Sequence, residues 1–409
     1  MNLSRVVESV PPSGIRRFFD IVSQMEDVIS LGVGEPDFVT PWRIREAAIW
    51  AIEQGYTTYT SNYGLLELRQ AIARTLDAQY GVEYSPTNEI LVTVGVSEGL
   101  DLALRAILNP GDEVLIPEPC YVSYKPCTLF AGGVPVPVPG DPADGFAIRA
   151  AALEAAVTPR TRAILLNFPN NPTGATLRRE EMARVAAVAE RHDLWMISDE
   201  IYARLTYEGQ HVCMAAIPGM QRRTILLNGF SKAYAMTGWR IAYAAGPAEV
   251  IGAMTKIHQY TMLCAPITAQ MAALEALKNG DRDADEMVMQ YDARRRLLVR
   301  GFNDIGLPCH MPEGAFYALP SIARTGLDSE TFAEELLREE RVAVVPGNAF
   351  GACGEGHVRC SYAASTAALE EALRRIERFV RRREGGAACA GTPARGARTH
   401  SAAVEGSMQ

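Results

Sequence analysis

The stretch NGFSKAYAMTGWR, residues 228 to 240, sets one amine and one guanidinium in uncharged company. Between Thr224 and Gly246 the only charged residues are Lys232 and Arg240. A lysine among apolar neighbours loses hydration of its ammonium, and a nearby cation weakens that charge further. The neutral amine that results is a nucleophile and a base at neutral pH. Arginine adds a planar fork that matches phosphate or carboxylate. The ordinary alternative is a snorkelling lysine and an arginine paired with some carboxylate. The stretch alone leaves both open.

Other segments end in groups of the same kind. LWMISDE closes on Asp199, with Tyr202 three residues on. A carboxylate ending so apolar a run needs a cation or donors. AILLNFP is followed by NNPTG, where Asn171 offers an amide to a ligand or simply makes a turn. EVLIPEP leads to Cys120 and Tyr121, a ring that belongs either to a site rim or to a core. EILVTV leads to Gly95, Val96 and Ser97 and then a helix, which is an anion cradle or an ordinary serine cap. Glu98 and Asp101 in that first turn count against the anion. TILLNGF delivers Ser231 and Lys232.

These runs must be strands, and the amphipathic stretches between them helices. SEGLDLALRAIL (97–108) puts Leu100, Ala103, Leu104, Ile107 and Leu108 on one face. EEMARVAAVAERH (180–192) is a second helix, and RIAYAAG (240–246) reads as another strand. Strands this apolar, without clean alternation, suit a mostly parallel sheet covered on both faces. In such sheets ligands bind beyond the carboxyl ends of the strands. The groups named above therefore gather at one edge. A carboxylate, a phenol, an amide, an amine, a guanidinium and a phosphate cradle together suit an aromatic heterocycle with a phosphate, an aldehyde and a ring nitrogen.

Later segments form a second unit. A charged helix over 284–306 leads to short strands at 314–320, 341–347 and 357–363 and to helices at about 330–340 and 366–383. The expected division is an N-terminal arm with part of a small domain (1–45), a large domain (46–285), a small α+β domain (286–383) and a tail (384–409). The tail is poor in large apolar residues and is expected to be disordered.

Composition sets the class. The chain has 409 residues, 48% hydrophobic and 22% charged, with a formal net charge of −8. It therefore holds a large core and presents no basic stripe for nucleic acid. No run of about 18 apolar residues would cross a membrane, and the N-terminal segment lacks a signal peptide's apolar core. Eight scattered cysteines without a CxxC pair fit a reducing compartment, and a cytoplasmic location is expected. The six histidines show no metal-ligand spacing.

The motifs SLGVGEPDF, YTSNYG, TVGVSEGL, NFPNNPTG, SDEIY, GFSKAYAMTGWR and HVRCSYAAS, in that order, resemble the fold-type-I pyridoxal-phosphate aminotransferases of class I, in the aspartate and aromatic branch. The likeness runs from about residue 12 to 383. It implies a three-layer αβα large domain with a mostly parallel sheet, and a smaller α+β domain. It implies pyridoxal 5'-phosphate held covalently by Lys232, with Asp199 facing its ring nitrogen and Tyr202 and Asn171 its phenolate oxygen. Tyr121 would stack on the ring. Val96, Ser97, Ser231 and Arg240 would serve the phosphate, and Tyr59 would reach the phosphate of a neighbouring subunit. Arg359 would bind the substrate α-carboxylate beside Gly34. The implied protein is a homodimer with shared active sites, acting on an amino acid and a 2-oxo acid. Gly229 departs from the pattern: many relatives have serine there, so one hydroxyl contact to phosphate is missing. A side-chain carboxylate of the substrate has Lys125 or Arg16 as candidate readers. Two other activities share the fold: a carbon–sulfur β-lyase, and an effector-binding module without catalysis.

Overall fold

The computed structural model describes residues 3–12 and 25–389. Its strands are β1 (Ile29–Ser30), β2 (Ile90–Thr93), β3 (Glu113–Glu118), β4 (Val134–Pro139), β5 (Thr161–Asn167), β6 (Trp195–Asp199), β7 (Thr224–Gly229), β8 (Ala242–Ala245), β9 (Tyr317–Ala318), β10 (Val342–Ala343), β11 (Val345–Pro346) and β12 (Val358–Ser361). Seven of them form the central sheet in the order β2-β8-β7-β6-β5-β3-β4. β8 pairs antiparallel with both neighbours, and the other pairs are parallel, so β8 alone runs against the rest.

The sheet is buried on both faces because successive side chains point to opposite sides. Ala163, Leu165, Ile197, Ile225 and Leu227 join one cluster with helices Val96–Ile107 and Ala248–Thr261. Ile164, Leu166 and Met196 pack on the other side against helix Arg179–Arg191. Leu226, Tyr243 and Ala245 share that second side with helices Trp42–Glu53, Leu66–Tyr80 and Ile267–Asn279. Apolar residues at both odd and even positions explain why the runs show no alternation. Fully burying one such Leu or Ile is worth ~1.5–3 kcal/mol. The expected αβα architecture is the observed one.

The strands read at 314–320 and 341–347 are shorter, Tyr317–Ala318 and the pair Val342–Ala343 and Val345–Pro346, and four further differences have a local cause. The helix expected to reach Leu108 ends at Ile107, and Leu108 is already extended. Arg240 does not begin a strand: it sits at φ +54° in a turn, and β8 starts at Ala242. VPVPVP, residues 134 to 139, is the edge strand β4, which the prolines concealed. The N–H groups of Val134 and Gly140 point at β3. By alternation the nitrogens of Pro135, Pro137 and Pro139 face the open edge, where proline's missing donor costs no ladder bond. Finally, helix Thr366–Cys389 extends six residues into the expected disordered tail. Alanines, which favour helix, follow there, and no proline comes before Pro393. Residues 390 to 409 lie outside the described residues.

The second unit packs helices Asp281–Ile305, Ser329–Glu340 and Thr366–Cys389 on β9, β11 and β12, an antiparallel sheet of order β11-β12-β9. β1 pairs with β10 and ties the N-terminal segment to it. Among the described residues no helix is long and apolar enough to cross a membrane.

Candidate active site

A cavity of about 510 Å³ opens where the parallel strands end. β2 leads to Val96 and Ser97, β3 to Tyr121, β5 to Asn171, β6 to Asp199 and Tyr202, and β7 to Ser231 and Lys232, all of which line it. Arg240 enters from the turn before β8, Arg359 from β12, and Gly34 from the segment after β1. Eleven of the twelve residues named from the sequence are thus brought together. Tyr59 is not among them: it stands 81% exposed on the surface.

The amine of Lys232 donates to the Gly34 carbonyl at 2.6 Å. Burial pulls its ammonium down to about 8; Glu35 opposes this, and the cations of Arg359 and Arg240 add to it. Asp199 is buried, and burial pushes its carboxyl up to about 6. The Tyr124 hydroxyl donates to its Oδ2 at 2.7 Å and the Ile201 N–H to its Oδ1 at 3.2 Å. Both bonds favour the anion.

Arg359 is 3% exposed. Its Nη1 donates to Asn171 Oδ1 at 3.0 Å and its Nη2 to the Gly32 carbonyl. The guanidinium carbon lies 4.5 Å from the Tyr317 ring centre and 4.8 Å from that of Phe350. Its Nε is buried without a partner, and among the described residues no carboxylate pairs with it. A buried cation in that state calls for an anion, because its charge is otherwise uncompensated.

Another part of the cavity is a cradle at a helix start, suited to an anion. Gly95 precedes helix Val96–Ile107 at φ +81°, and a Cβ there would collide with Arg240 Nη2. The helix start therefore opens its free N–H groups beside a guanidinium. Glu98 does not spoil this positive end. Its carboxylate turns back to accept from the Val94 N–H at 2.5 Å and meets His258 Nδ1 at 2.7 Å. Asp101 pairs with Arg105 at 3.2 Å.

The residue at 229 also has a structural reason. Gly229 pairs with Ala242 across β7 and β8, and a Cβ there would lie 2.6 Å from the Ala242 Cβ. Serine would not fit without moving β8.

Sequence reasoning missed Tyr124, Asn167 and Tyr317. Asn167 Nδ2 donates to the Asp199 carbonyl at 2.9 Å, and its Oδ1 accepts from the Asn171 N–H at 3.0 Å. The Tyr317 and Tyr202 hydroxyls lie 2.8 Å apart. Asn167 had a signal: it is the polar residue that ends an apolar strand. Lys125, a candidate reader of a second carboxylate, is paired with buried Glu118. Arg16 lies outside the described residues.

A lysine, a buried carboxylate and an anion cradle at a helix start thus meet beyond the strands of an αβα sheet. The chain belongs to the class I and II aminotransferases, a pyridoxal-phosphate-dependent family whose profile, "Aminotransferase class I and II", matches residues 26–376. It is 56% identical to the putative aminotransferase YugH of Bacillus subtilis over 92% of this chain and 98% of that one. It is 45% identical to the aspartate aminotransferase of Pyrococcus abyssi over 94% of this chain and all of that one. The solved aromatic aminotransferase of Pyrococcus horikoshii superposes with a TM-score of 0.86 at 46% identity, covering 90% of this chain and 99% of that one. The protein is therefore an aminotransferase of this family.

Proposed function

We propose that the protein transfers the amino group of an L-amino acid, aspartate or an aromatic one, to a 2-oxo acid such as 2-oxoglutarate, using pyridoxal 5'-phosphate in this cavity. The observation that carries the reading is Lys232 and Arg359, an amine lowered to about 8 and a buried, unpaired guanidinium, facing one cavity. The residues present fit the cofactor: the cradle at Gly95, Val96 and Ser97 beside Arg240 takes a phosphate, and Asp199 takes a protonated ring nitrogen. When bound, the cofactor supplies a carbonyl carbon that accepts the amino group and a ring that takes up electrons from the substrate Cα.

The chain's own groups do the rest. Lys232 Nζ, neutral above about 8, holds the cofactor and moves a proton on and off the substrate Cα. Asp199 keeps a proton on the ring nitrogen through opposite charge. Tyr202 and Asn171 donate to the phenolate oxygen, and Tyr121 covers the ring. Arg359 grips the α-carboxylate with a fork that lysine lacks. Free thiols throughout the described side chains fit a reducing compartment such as the cytoplasm.

Purified protein with pyridoxal phosphate should form glutamate from 2-oxoglutarate and at least one of aspartate, tyrosine or phenylalanine. A panel that gives no glutamate, but releases pyruvate from cystathionine, would replace this reading with β-elimination.

The same reading includes a homodimer. Tyr59 and Tyr260 are 81% and 84% exposed. The segments that follow them adjoin, since Asn62 donates to the Leu263 carbonyl at 2.7 Å. Trp42, Trp50 and Ile52 add further exposed apolar surface from helix Trp42–Glu53. So much exposed apolar surface marks an interface, and Tyr59 is the phosphate ligand a second copy would contribute. Light scattering is expected to give a mass of two chains; a fully active monomer would rule out a shared site.

A further inference from the structure

Tyr317 touches three parts of the site at once. Its hydroxyl is 2.8 Å from the Tyr202 hydroxyl. Its ring carries the Arg359 guanidinium at 4.5 Å. Its hydroxyl also occupies the space where a Cβ on Gly34 would stand, and the ring Cζ would be only 3.2 Å from that Cβ. Gly34 has no positive φ, so space and not backbone conformation bars a side chain there. Tyr317 is 1% exposed, and its backbone is fixed by the pairing of β9 with β12, the strand that bears Arg359.

We infer that Tyr317 is the positioning residue that sets the Tyr202 hydroxyl and the Arg359 guanidinium relative to one another, and that it reserves position 34 for glycine. The inference rests on the functional reading above. Tyr202 has one proton to give. If it donates that proton to the cofactor's phenolate oxygen, its own oxygen must accept, and Tyr317 is the donor in place. The same ring presses one face of the Arg359 fork, which leaves the fork's free edge to a carboxylate. One tyrosine thus links the cofactor side of the cavity to the substrate side.

Two variants separate the two contacts. Tyr317→Phe keeps the ring and loses the hydroxyl. Losing one neutral hydrogen bond is worth about 1 kcal/mol, so kcat is expected to fall about fivefold. The pH at which the bound cofactor's absorbance titrates should move by at least half a unit, while KM for both substrates stays within about twofold. Tyr317→Leu also loses the ring, and KM for both substrates should then rise about tenfold. A third arm uses packing. Gly34→Ala alone should weaken binding of a non-reacting dicarboxylate such as maleate at least tenfold, and Tyr317→Phe in the same chain should recover part of that loss. Thermal unfolding of each apoprotein reports that it folds. The inference is overturned if Tyr317→Phe titrates and turns over like wild type, or if Gly34→Ala is equally damaging with and without the hydroxyl. Wild-type turnover in the same assay keeps the two readings apart. Its absence would sink the aminotransferase reading, whereas the Gly34–Tyr317 coupling is read from binding and unfolding alone.

Discussion

Replacing Lys232 with alanine is expected to lower amino transfer by at least about 10⁴-fold, because one amine both anchors the cofactor and moves the Cα proton. The pH behaviour of the wild-type amine gives the same prediction a second readout. Its conjugate acid lies at about 8 instead of the usual 10.5. A lowered amine value means the neutral, reactive form prevails above about 8. Capture of pyridoxal phosphate by the apoprotein should therefore accelerate with rising pH and reach half its limit near 8. Borohydride reduction followed by mass measurement scores the covalent attachment: wild type gains the cofactor's mass and Lys232→Ala does not. An alanine variant that turned over at the wild-type rate would sink the assignment.

Arg359→Ala should raise KM for both the amino donor and the oxo acid by roughly 30- to 5,000-fold, since truncating one partner of a buried charge pair costs about 2–5 kcal/mol. Cofactor affinity should change by less than about threefold, because the guanidinium touches Asn171 and Gly32 and not the phosphate cradle. Arg359→Lys should recover little. An ammonium lacks the planar fork that lies near the Tyr317 and Phe350 rings while donating to both Asn171 and Gly32. Steady-state kinetics with each substrate varied in turn, beside a fluorescence titration of the cofactor, decides the matter. If cofactor binding collapsed while both KM values held, Arg359 would belong to the cofactor and not to the substrate.

What the sequence showed depended on how locally each feature is encoded. Lys232, Asp199 and Asn171 were legible because each follows an apolar run, and a polar group at the end of a buried strand is visible from its near neighbours. Tyr124 and Tyr317 were not. Tyr124 sits between a serine and a lysine and Tyr317 in an apolar run that reads as core, and what gives these two meaning are contacts to residues 75 and 115 positions away. Glu98 was read against the phosphate because its own turn is all that the local sequence displays; its partner His258 is 160 positions on. Helix Trp42–Glu53 is hard to see in the sequence for a different reason. Trp42, Ile49, Trp50 and Ile52 are exposed, which blurs the apolar periodicity that would have announced it. Arg240 looked like the first residue of a strand because a left-handed backbone leaves no compositional mark on an arginine.

The prolines of β4 bear on how the protein behaves at high concentration. The sheet's outer rim at β4 carries carbonyls and no N–H at positions 135, 137 and 139, so an approaching strand would find acceptors without the donors a ladder needs. A parallel sheet is a template for its own extension wherever an edge is left complete. Here one edge is chemically half finished, and edge-to-edge joining of copies, the route to fibrous aggregates, is closed at that side by the same residues that hid the strand.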